Sequence, residues 1–229
     1  PGAGVWFDED GDSSLTNSGG GDILGLAGFG VMVDDDIDFI TNTGAGSTIT
    51  ATTGTAIRVG DWDGLQMLTN TAGGVISATT GTAIWFEDQS WLGDDTIHNI
   101  GGTITSANPS VGFEEEPYGT MVFDNIDVGW DDVLIIDGGT ISNTSGVNTG
   151  VAIWFDPDEG DDSLLITAGT TVRSDGAGGA DSGAGIAIEM PDDVEDVDIE
   201  GTVFGRIVSE AGNGIAINIG AEEGGGSLT

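Results

Sequence analysis

The sequence has no cysteine and no lysine, and it contains a single histidine among 229 residues. Its only fixed cations are Arg58, Arg173 and Arg206, which face 40 Asp and Glu and leave a net charge of −37. Because a chain of this charge repels phosphate backbones, we expect no nucleic acid partner. Catalysis by a cysteine or by a serine–histidine pair is unsupported, because cysteine is absent and no nucleophile motif lies near the histidine.

Long apolar segments are also missing. No stretch approaches the roughly 20 apolar residues that span a bilayer, so we expect no membrane insertion by this segment. The first residues show neither the basic nor the apolar region of an export signal, and the chain begins at Pro1 rather than Met. We therefore expect any export signal to lie outside these residues.

Disorder is the first alternative to a folded chain, because 42 glycines and a large net charge are typical of segments that bury little apolar surface. The apolar residues favour a folded chain instead. They make up 38% of the sequence and recur in short alternating runs rich in Ile, Val, Leu and Phe, which is the pattern of half-buried strands.

One short pattern occurs eight times along the chain: a small residue, an apolar and usually branched residue, a variable residue and a large apolar residue. The copies cover residues 4–7, 30–33, 56–59, 83–86, 120–123, 152–155, 185–188 and 214–217. Their last residues are separated by 26, 26, 27, 37, 32, 33 and 29 residues. A repeat of this length is typical of a solenoid.

Two further strand-like pieces return in the same order between the copies. One follows the acidic turn, at residues 37–40, 65–68, 133–136, 163–166 and 197–199. The other follows a glycine-rich corner, at residues 48–50, 75–77, 103–105, 140–142 and 171–173. Three short strands per repeat, with no helical period, predict a coil with three sides.

The sequence therefore predicts an all-β fold: a right-handed parallel β-helix of about eight coils of roughly 30 residues, forming one repeat domain over residues 1–229. Coils stacked about 4.8 Å apart make a rod on the order of 40 Å long. A β-sandwich or barrel is the competing fold, but it does not explain three strand types in fixed order. We expect Phe7, Val33, Val59 and Phe86 to form one internal column.

The variable residue of each copy should point away from the core, because side chains alternate along a strand and both of its neighbours are apolar. Read by coil, this predicted outer column is Trp6, Met32, Arg58, Trp85, Val122, Trp154, Ala187 and Ala216. We predict that Trp6, Trp85 and Trp154 bind a partner, since exposed aromatic rings stack on sugars or pack against a neighbouring rod. The alternative is that long loops fold over them.

Carboxylates follow nearly every copy, so they occupy one phase of the repeat and should line one edge of the rod. Two unit charges about 4.8 Å apart repel by roughly 0.9 kcal/mol in water and roughly 3.5 kcal/mol at an effective dielectric near 20. Since basic partners are scarce, we predict that calcium occupies at least some of these turns. The predicted ligands are Asp8, Asp10, Asp12, Asp34, Asp36, Asp61, Asp63, Asp94, Asp95, Asp131, Asp132, Asp156, Asp158, Asp161, Asp162, Asp192 and Asp193. Splayed loops screened by salt are the alternative, because neither EF-hand spacing nor a β-roll nonapeptide is present.

Residues 138–142, Gly-Gly-Thr-Ile-Ser, are followed by Gly-Val-Ala-Ile-Trp-Phe at 150–155 and Gly-Asp-Asp-Ser-Leu-Leu at 160–165. The series returns as Gly-Gly-Val-Ile-Ser at 73–77, Gly-Thr-Ala-Ile-Trp-Phe at 81–86 and Gly-Asp-Asp-Thr at 93–96. These repeats resemble those of bacterial autotransporter passenger domains and related β-helical adhesins. The resemblance implies export, display at the bacterial cell surface, and a role in adhesion or surface-layer construction.

We predict a secreted structural or adhesive rod, a filament or surface-layer subunit, rather than an enzyme. The alternative is a β-helical carbohydrate-active enzyme or a glycan-binding module. Acidic-sugar enzymes of this fold combine aspartates with Arg, Lys or His, but here His98 lies at an ordinary outward strand position. A hydrolase of a neutral glycan needs only two carboxylates, and nothing distinguishes one pair from the rest.

Two further expectations concern the surface and the ends of the rod. An ice-binding face, suggested by Thr-x-Thr at 48–50 and 103–105, is disfavoured because Ser142 and Arg173 interrupt the same column. Neither end of the chain has the sequence of a polar cap. Because an open coil exposes unpaired strand edges, we expect the rod to continue into more coils or to form a homo-oligomer or end-to-end fibre, with a glycan or surface receptor as a further partner.

Removal of calcium is expected to lower the melting temperature of the purified chain, because bound cations offset the repulsion between stacked carboxylates. Each site adds about 2.7 kcal/mol when free calcium is about 100 times its dissociation constant. A calorimetric melt with and without a chelator, at constant ionic strength, measures the effect. An unchanged midpoint would contradict calcium binding in these turns.

Overall fold

The computed structural model describes residues 2–8, 13–34, 37–60, 65–86, 96–108, 121–123, 133–155, 162–177, 184–190 and 194–209. All regular elements of these residues are strands. In chain order they begin with β1 (Ala3–Phe7), β2 (Ser14–Ser18), β3 (Asp22–Gly25), β4 (Phe29–Val33), β5 (Ile37–Thr43), β6 (Thr48–Ala51), β7 (Ile57–Val59), β8 (Leu65–Thr71), β9 (Val75–Ala78), β10 (Ile84–Phe86) and β11 (Thr96–Ile100). They continue with β12 (Thr103–Ser106), β13 (Met121–Phe123), β14 (Val133–Ile136), β15 (Gly139–Asn143), β16 (Val151–Phe155), β17 (Asp162–Ile166), β18 (Thr170–Ser174), β19 (Ile186–Met190), β20 (Val194–Ile199), β21 (Thr202–Phe204) and β22 (Arg206–Ser209).

Each strand pairs in parallel with the strand three places later in the chain. The first sheet has the order β1-β4-β7-β10-β13-β16-β19-β22, the second β2-β5-β8-β11-β14-β17-β20, and the third β3-β6-β9-β12-β15-β18-β21. This arrangement confirms the predicted parallel β-helix. Within the described residues there are seven complete coils and the first strand of another, slightly fewer than the predicted eight.

The core is a set of columns in which like residues lie over like. The predicted internal column of the first sheet is confirmed, and in register it runs Phe7, Val33, Val59, Phe86, Phe123 and Phe155. The third sheet contributes Ile23, Ile49, Ile76, Ile104, Ile141, Val172 and Val203. Full burial of such a side chain stabilises the fold by about 1.5–3 kcal/mol, so each added coil strengthens the coils on both sides of it.

The predicted position of Ala187 is wrong. Trp154 pairs with Glu189, so Glu189 continues the outer column and Ala187 is fully buried in the core. The true copy of the pattern is 187–190, two residues later than predicted. A shift of two residues preserves the alternation of side chains, so the sequence pattern could not distinguish the two positions.

The eighth strand of the first sheet also differs from the prediction. It is β22, which places Ile207 beside Ile188, so the chain returns to this sheet sooner than the repeat length suggests. The predicted eighth copy, residues 214–217 with Ala216, lies outside the described residues. The connection from the third sheet to the first is short here, because β21 ends at Phe204 and β22 begins at Arg206.

A polar column runs inside the rod at the end of the second sheet, formed by Asn17, Asn42, Asn70 and Asn99. The amide Nδ2 of each asparagine donates to the Oδ1 of the next, at 2.9 Å from Asn17 to Asn42, 3.0 Å from Asn42 to Asn70 and 2.9 Å from Asn70 to Asn99. We call this column the asparagine ladder. Its amides satisfy one another in a place where charged groups would repel.

The ladder ends where the sequence changes. Ile136 occupies the next position in register with Asn99. The Nδ2 of Asn99 donates instead to the carbonyl oxygens of Gly102 at 3.1 Å and Gly138 at 3.2 Å. Gly138 has φ of 78°, a conformation that glycine adopts at no steric cost. Glycines with positive φ also lie at this corner in coils that carry the asparagine, at Gly44, Gly73 and Gly101.

Glycine also fixes the corner between the third and first sheets. Gly2, Gly28, Gly54 and Gly81 lie over one another there, and a Cβ on any of the last three would overlap the carbonyl oxygen of the preceding glycine. The coils therefore approach one another at this corner by backbone alone. This contact keeps the first-sheet strands in register across coils.

Asn70→Leu is expected to destabilise the chain by about 3 kcal/mol, because it removes the acceptor of Asn42 and the donor to Asn99 inside the rod. Urea unfolding measures the loss. Thr69→Val, on the outer side of the same strand, is the control and should change stability by less than about 0.5 kcal/mol. Equal losses for the two variants would contradict a stabilising ladder.

Candidate functional site

The outward residues of the first sheet form the candidate site. In register they are Trp6, Met32, Arg58, Trp85, Trp154 and Glu189, which we call the outer column, and Val122 holds the register position between Trp85 and Trp154. Except at Glu189, the described members are those expected from alternation. Adjacent members lie on neighbouring strands, about 4.8 Å apart.

Trp6 is the exposed aromatic residue of the outer column. Its side chain is 57% exposed, and its indole Nε1 donates to the Oδ2 of Asp34 at 2.8 Å. The hydrogen bond restricts the orientation of the ring without covering it. A fixed, exposed aromatic face is suited to stacking on an apolar or sugar surface.

Arg58 is held from three directions. Its Nη1 lies 3.2 Å from the Oδ1 of Asp34. Its guanidinium carbon lies 5.5 Å from the ring centroid of Phe29 and 5.3 Å from that of Trp85, within the range of cation–π attraction. Asp34 therefore joins Trp6 in the first coil to Arg58 in the third, with one carboxylate oxygen for each.

Trp85 and Trp154 are less accessible than the sequence suggested. Trp154 is only 8% exposed, and it forms a small apolar cluster on the outside of the first sheet with Val151, Trp85 and Ile186. Both tryptophans occupy outward positions in the register, as predicted, but their rings are packed into this cluster. Binding of a partner remains a prediction for all three tryptophans, and Trp6 has the surface for it.

Three of the predicted calcium ligands of the acidic edge lie in the described residues. Asp8 and Asp34 directly follow Phe7 and Val33 in register, and the backbone N of Asp34 donates to the carbonyl oxygen of Phe7 at 2.9 Å. These two aspartates therefore occupy equivalent positions in successive coils, as expected. Asp162 begins β17. Among the described residues no group of three or more His, Cys, Asp or Glu is placed to hold a metal ion, and calcium binding remains a prediction.

The other predicted ligands lie outside the described residues; they are Asp10, Asp12, Asp36, Asp61, Asp63, Asp94, Asp95, Asp131, Asp132, Asp156, Asp158, Asp161, Asp192 and Asp193.

Both carboxylate oxygens of Asp34 accept hydrogen bonds from side chains of the protein, one from Trp6 and one from Arg58. The positive charge of Arg58 offsets the negative charge of this carboxylate. Part of the repulsion along the edge is therefore relieved by Arg58.

The outer faces of the other two sheets carry few charges. On the third sheet Thr50, Ser77, Thr105, Ser142 and Arg173 follow one another in register, so the Thr-x-Thr array is interrupted as expected. Arg173 donates to Asp175 through Nε at 2.9 Å and Nη2 at 2.6 Å. On the second sheet His98 points outward, in register with Thr69 and Ile135. Each face also carries a large exposed apolar side chain, Leu24 on the third sheet and Phe39 on the second.

Sequence reasoning missed two features of the rod. The asparagine ladder has a visible signal, because Asn follows an apolar residue by two positions at 15–17, 40–42, 68–70 and 97–99. The Asp34 bridge has no such signal. It joins residues from three coils, and only the register of the strands brings them together.

Comparison with protein-family models, with curated proteins and with solved structures found no match. The class of the protein therefore rests on its architecture, and the described chain is a β-helical repeat protein. Among the described residues no helix has the length and apolar character to cross a membrane.

Arg58→Met is expected to destabilise the chain by about 1–2 kcal/mol, through loss of two cation–π contacts and one partly exposed ion pair. Thermal melts at low and high salt measure the effect, and the loss should shrink at high salt because the ion pair is screened. Arg58→Lys keeps the charge but loses the planar stacking, so an intermediate loss is expected. A melting temperature unchanged by Arg58→Met would contradict a stabilising role.

Proposed function

We propose that the chain is a structural and adhesive rod that acts outside the cell, as a filament or surface-layer component. The observation that carries this proposal is the stack of parallel strands through the described coils, with one hydrophobic core cluster inside it. Such a stack transmits load through backbone hydrogen bonds and a continuous core.

The surface charge supports a role in a crowded external layer. A net charge of −37 keeps neighbouring rods apart and in solution. Calcium bound in the acidic turns would join carboxylates of successive coils, so the rod would be stiffest where calcium is abundant. This condition is met outside cells rather than in the cytosol.

The resemblance of the repeats to autotransporter passenger domains supports secretion and display at a bacterial surface. The outer faces of the second and third sheets and the outer column are then the surfaces that meet other rods, a glycan or a surface receptor. The rod provides length and spacing, and its exposed aromatic residues provide contact.

A glycan-binding module is the second candidate, and one observation favours it. The ring of Trp6 is exposed and is oriented by its hydrogen bond to Asp34. Aromatic faces of this kind bind the apolar face of a neutral sugar ring. A catalytic version would require a pair of carboxylates beside this ring, and we do not propose one.

Imaging of the purified chain in calcium is expected to show straight particles of constant width. Seven coils account for about 35 Å of length, and longer particles are expected where coils or copies stack. Particles that are irregular or collapsed would contradict the rod.

Retardation of the chain in gels containing neutral linear glycans separates the two candidates. The structural rod predicts equal mobility for the wild type and for Trp6→Ala. The glycan-binding module predicts at least a tenfold loss of affinity in Trp6→Ala, equivalent to about 1.4 kcal/mol. Met32→Ala, at the next position of the outer column, is the matched control.

A further inference from the structure

The outer side of the second sheet carries apolar residues in its middle coils. Ile135 and Leu165 point outward, because both neighbours of each along the strand are buried. Phe39 in the second coil is 46% exposed and Ile100 in the fourth is 37% exposed, and Met67 between them is partly exposed. Strands that are apolar on both sides are typical of a sheet that is covered on both faces.

The same side of the rod lacks carboxylates over these coils, in a chain that has 40. The central outward row of the second sheet contains no acidic residue from the second coil to the sixth; it is Thr41, Thr69, His98, Ile135 and Leu165. The row from Phe39 to Ser163, in register beside it, contains none either. We call these two rows the carboxylate-free face. The central row becomes acidic in the seventh coil, where Asp198 is in register with Leu165.

The two edges of this face differ in charge. Acidic segments precede the second-sheet strands, for example residues 34–36, 61–63 and 94–95. Glycine turns follow the same strands, at Gly44, Gly73, Gly101, Gly138 and Gly169. In coils two to six these turns contain one carboxylate, Asp137, which accepts a hydrogen bond from Thr167 at 2.9 Å. The face therefore has an acidic edge on one side and a nearly uncharged backbone edge on the other.

We propose that the carboxylate-free face binds a second copy of this chain, with the two rods parallel and side by side. The inference rests on the proposed rod function and names the partner of this face. A two-fold axis parallel to the rods reverses the strand direction of one copy relative to the other. The acidic edge of each copy then lies beside the glycine turns of the other, so repulsion between two chains of net charge −37 is small.

The charges also select the orientation. In an antiparallel pair both acidic edges lie on the same side, where their carboxylates repel. In the parallel pair both rods have the same coil spacing of about 4.8 Å, so each coil meets its equivalent. The central row lies on the axis, and Ile135 and Leu165 therefore contact the same residues of the second copy. Parallel rods also suit a layer in which every copy projects from one surface.

The size of the face predicts a weak dimer. Five coils about 4.8 Å apart, with three outward residues on each strand, give about 500 Å² per copy. This area is at the low end for a specific interface, so we expect a dissociation constant on the order of 100 μM. High salt should strengthen the pair, because it screens Asp198, which faces its own equivalent near the axis.

Sedimentation equilibrium of the full chain, over a range of protein concentrations at low and high sodium chloride, tests the proposal. Ile135→Glu places two carboxylates together on the axis and should weaken association at least tenfold. Ser77→Glu is the matched control, because it adds the same charge at an outward position of the third sheet. It should leave the dissociation constant within about twofold of the wild type.

Two further variants test the axis itself. An equimolar mixture of Ile135→Glu and Ile135→Lys should associate more tightly than either variant alone, because position 135 meets itself and opposite charges then face each other. Asp198→Asn should tighten association at low salt, because it removes a pair of carboxylates. Thermal melts of each variant, compared with the wild type, verify that the rod is folded.

A chain that stays monomeric up to about 1 mM at high salt would overturn the proposal and leave the face to a different macromolecule. Equal effects of Ile135→Glu and Ser77→Glu would also overturn it. Imaging separates this result from failure of the proposed function. Straight particles from a monomeric chain would refute the dimer and leave the rod standing, whereas particles without a rod shape would refute both.

Discussion

Strand pairing at about 4.8 Å is the constraint on which the rest of this protein depends. Each residue lies directly over its counterpart in the next coil, so the side chain at each position must be able to stack on a similar side chain. Branched aliphatic side chains do so by packing, and the third sheet accordingly has Ile or Val at one inward position from Ile23 to Val203. Amides do so by pairing donor with acceptor. Carboxylates repel, and they are accordingly concentrated in the segments between the strands.

The asparagine ladder gives the otherwise repetitive rod a polarity. A column of isoleucines looks the same from either end, whereas a column of amides has a donor end and an acceptor end. The ladder ends where Ile136 takes the place of the asparagine. The first four coils and the later ones are therefore two variants of one coil, joined by a shared core.

The outer column shows how the register produces contacts that are remote in sequence. Asp34 bonds Trp6 and Arg58, which lie in the coils before and after it. Arg58 is one of three arginines in the chain, and its ion pair with Asp34 reduces the repulsion between carboxylates at this point of the edge.

The sequence by itself determined the class of fold, because alternation and a repeat of about thirty residues constrain every strand in the same way. The internal column from Phe7 to Phe86 and the outward position of His98 follow from alternation alone. Tertiary structure decided what alternation leaves open. A shift of two residues keeps the same sides of the strand, so only pairing of β16 with β19 placed Glu189 rather than Ala187 over Trp154. Burial of Trp154 and the bridging by Asp34 likewise depend on side chains from different coils, and no pattern within one coil encodes them.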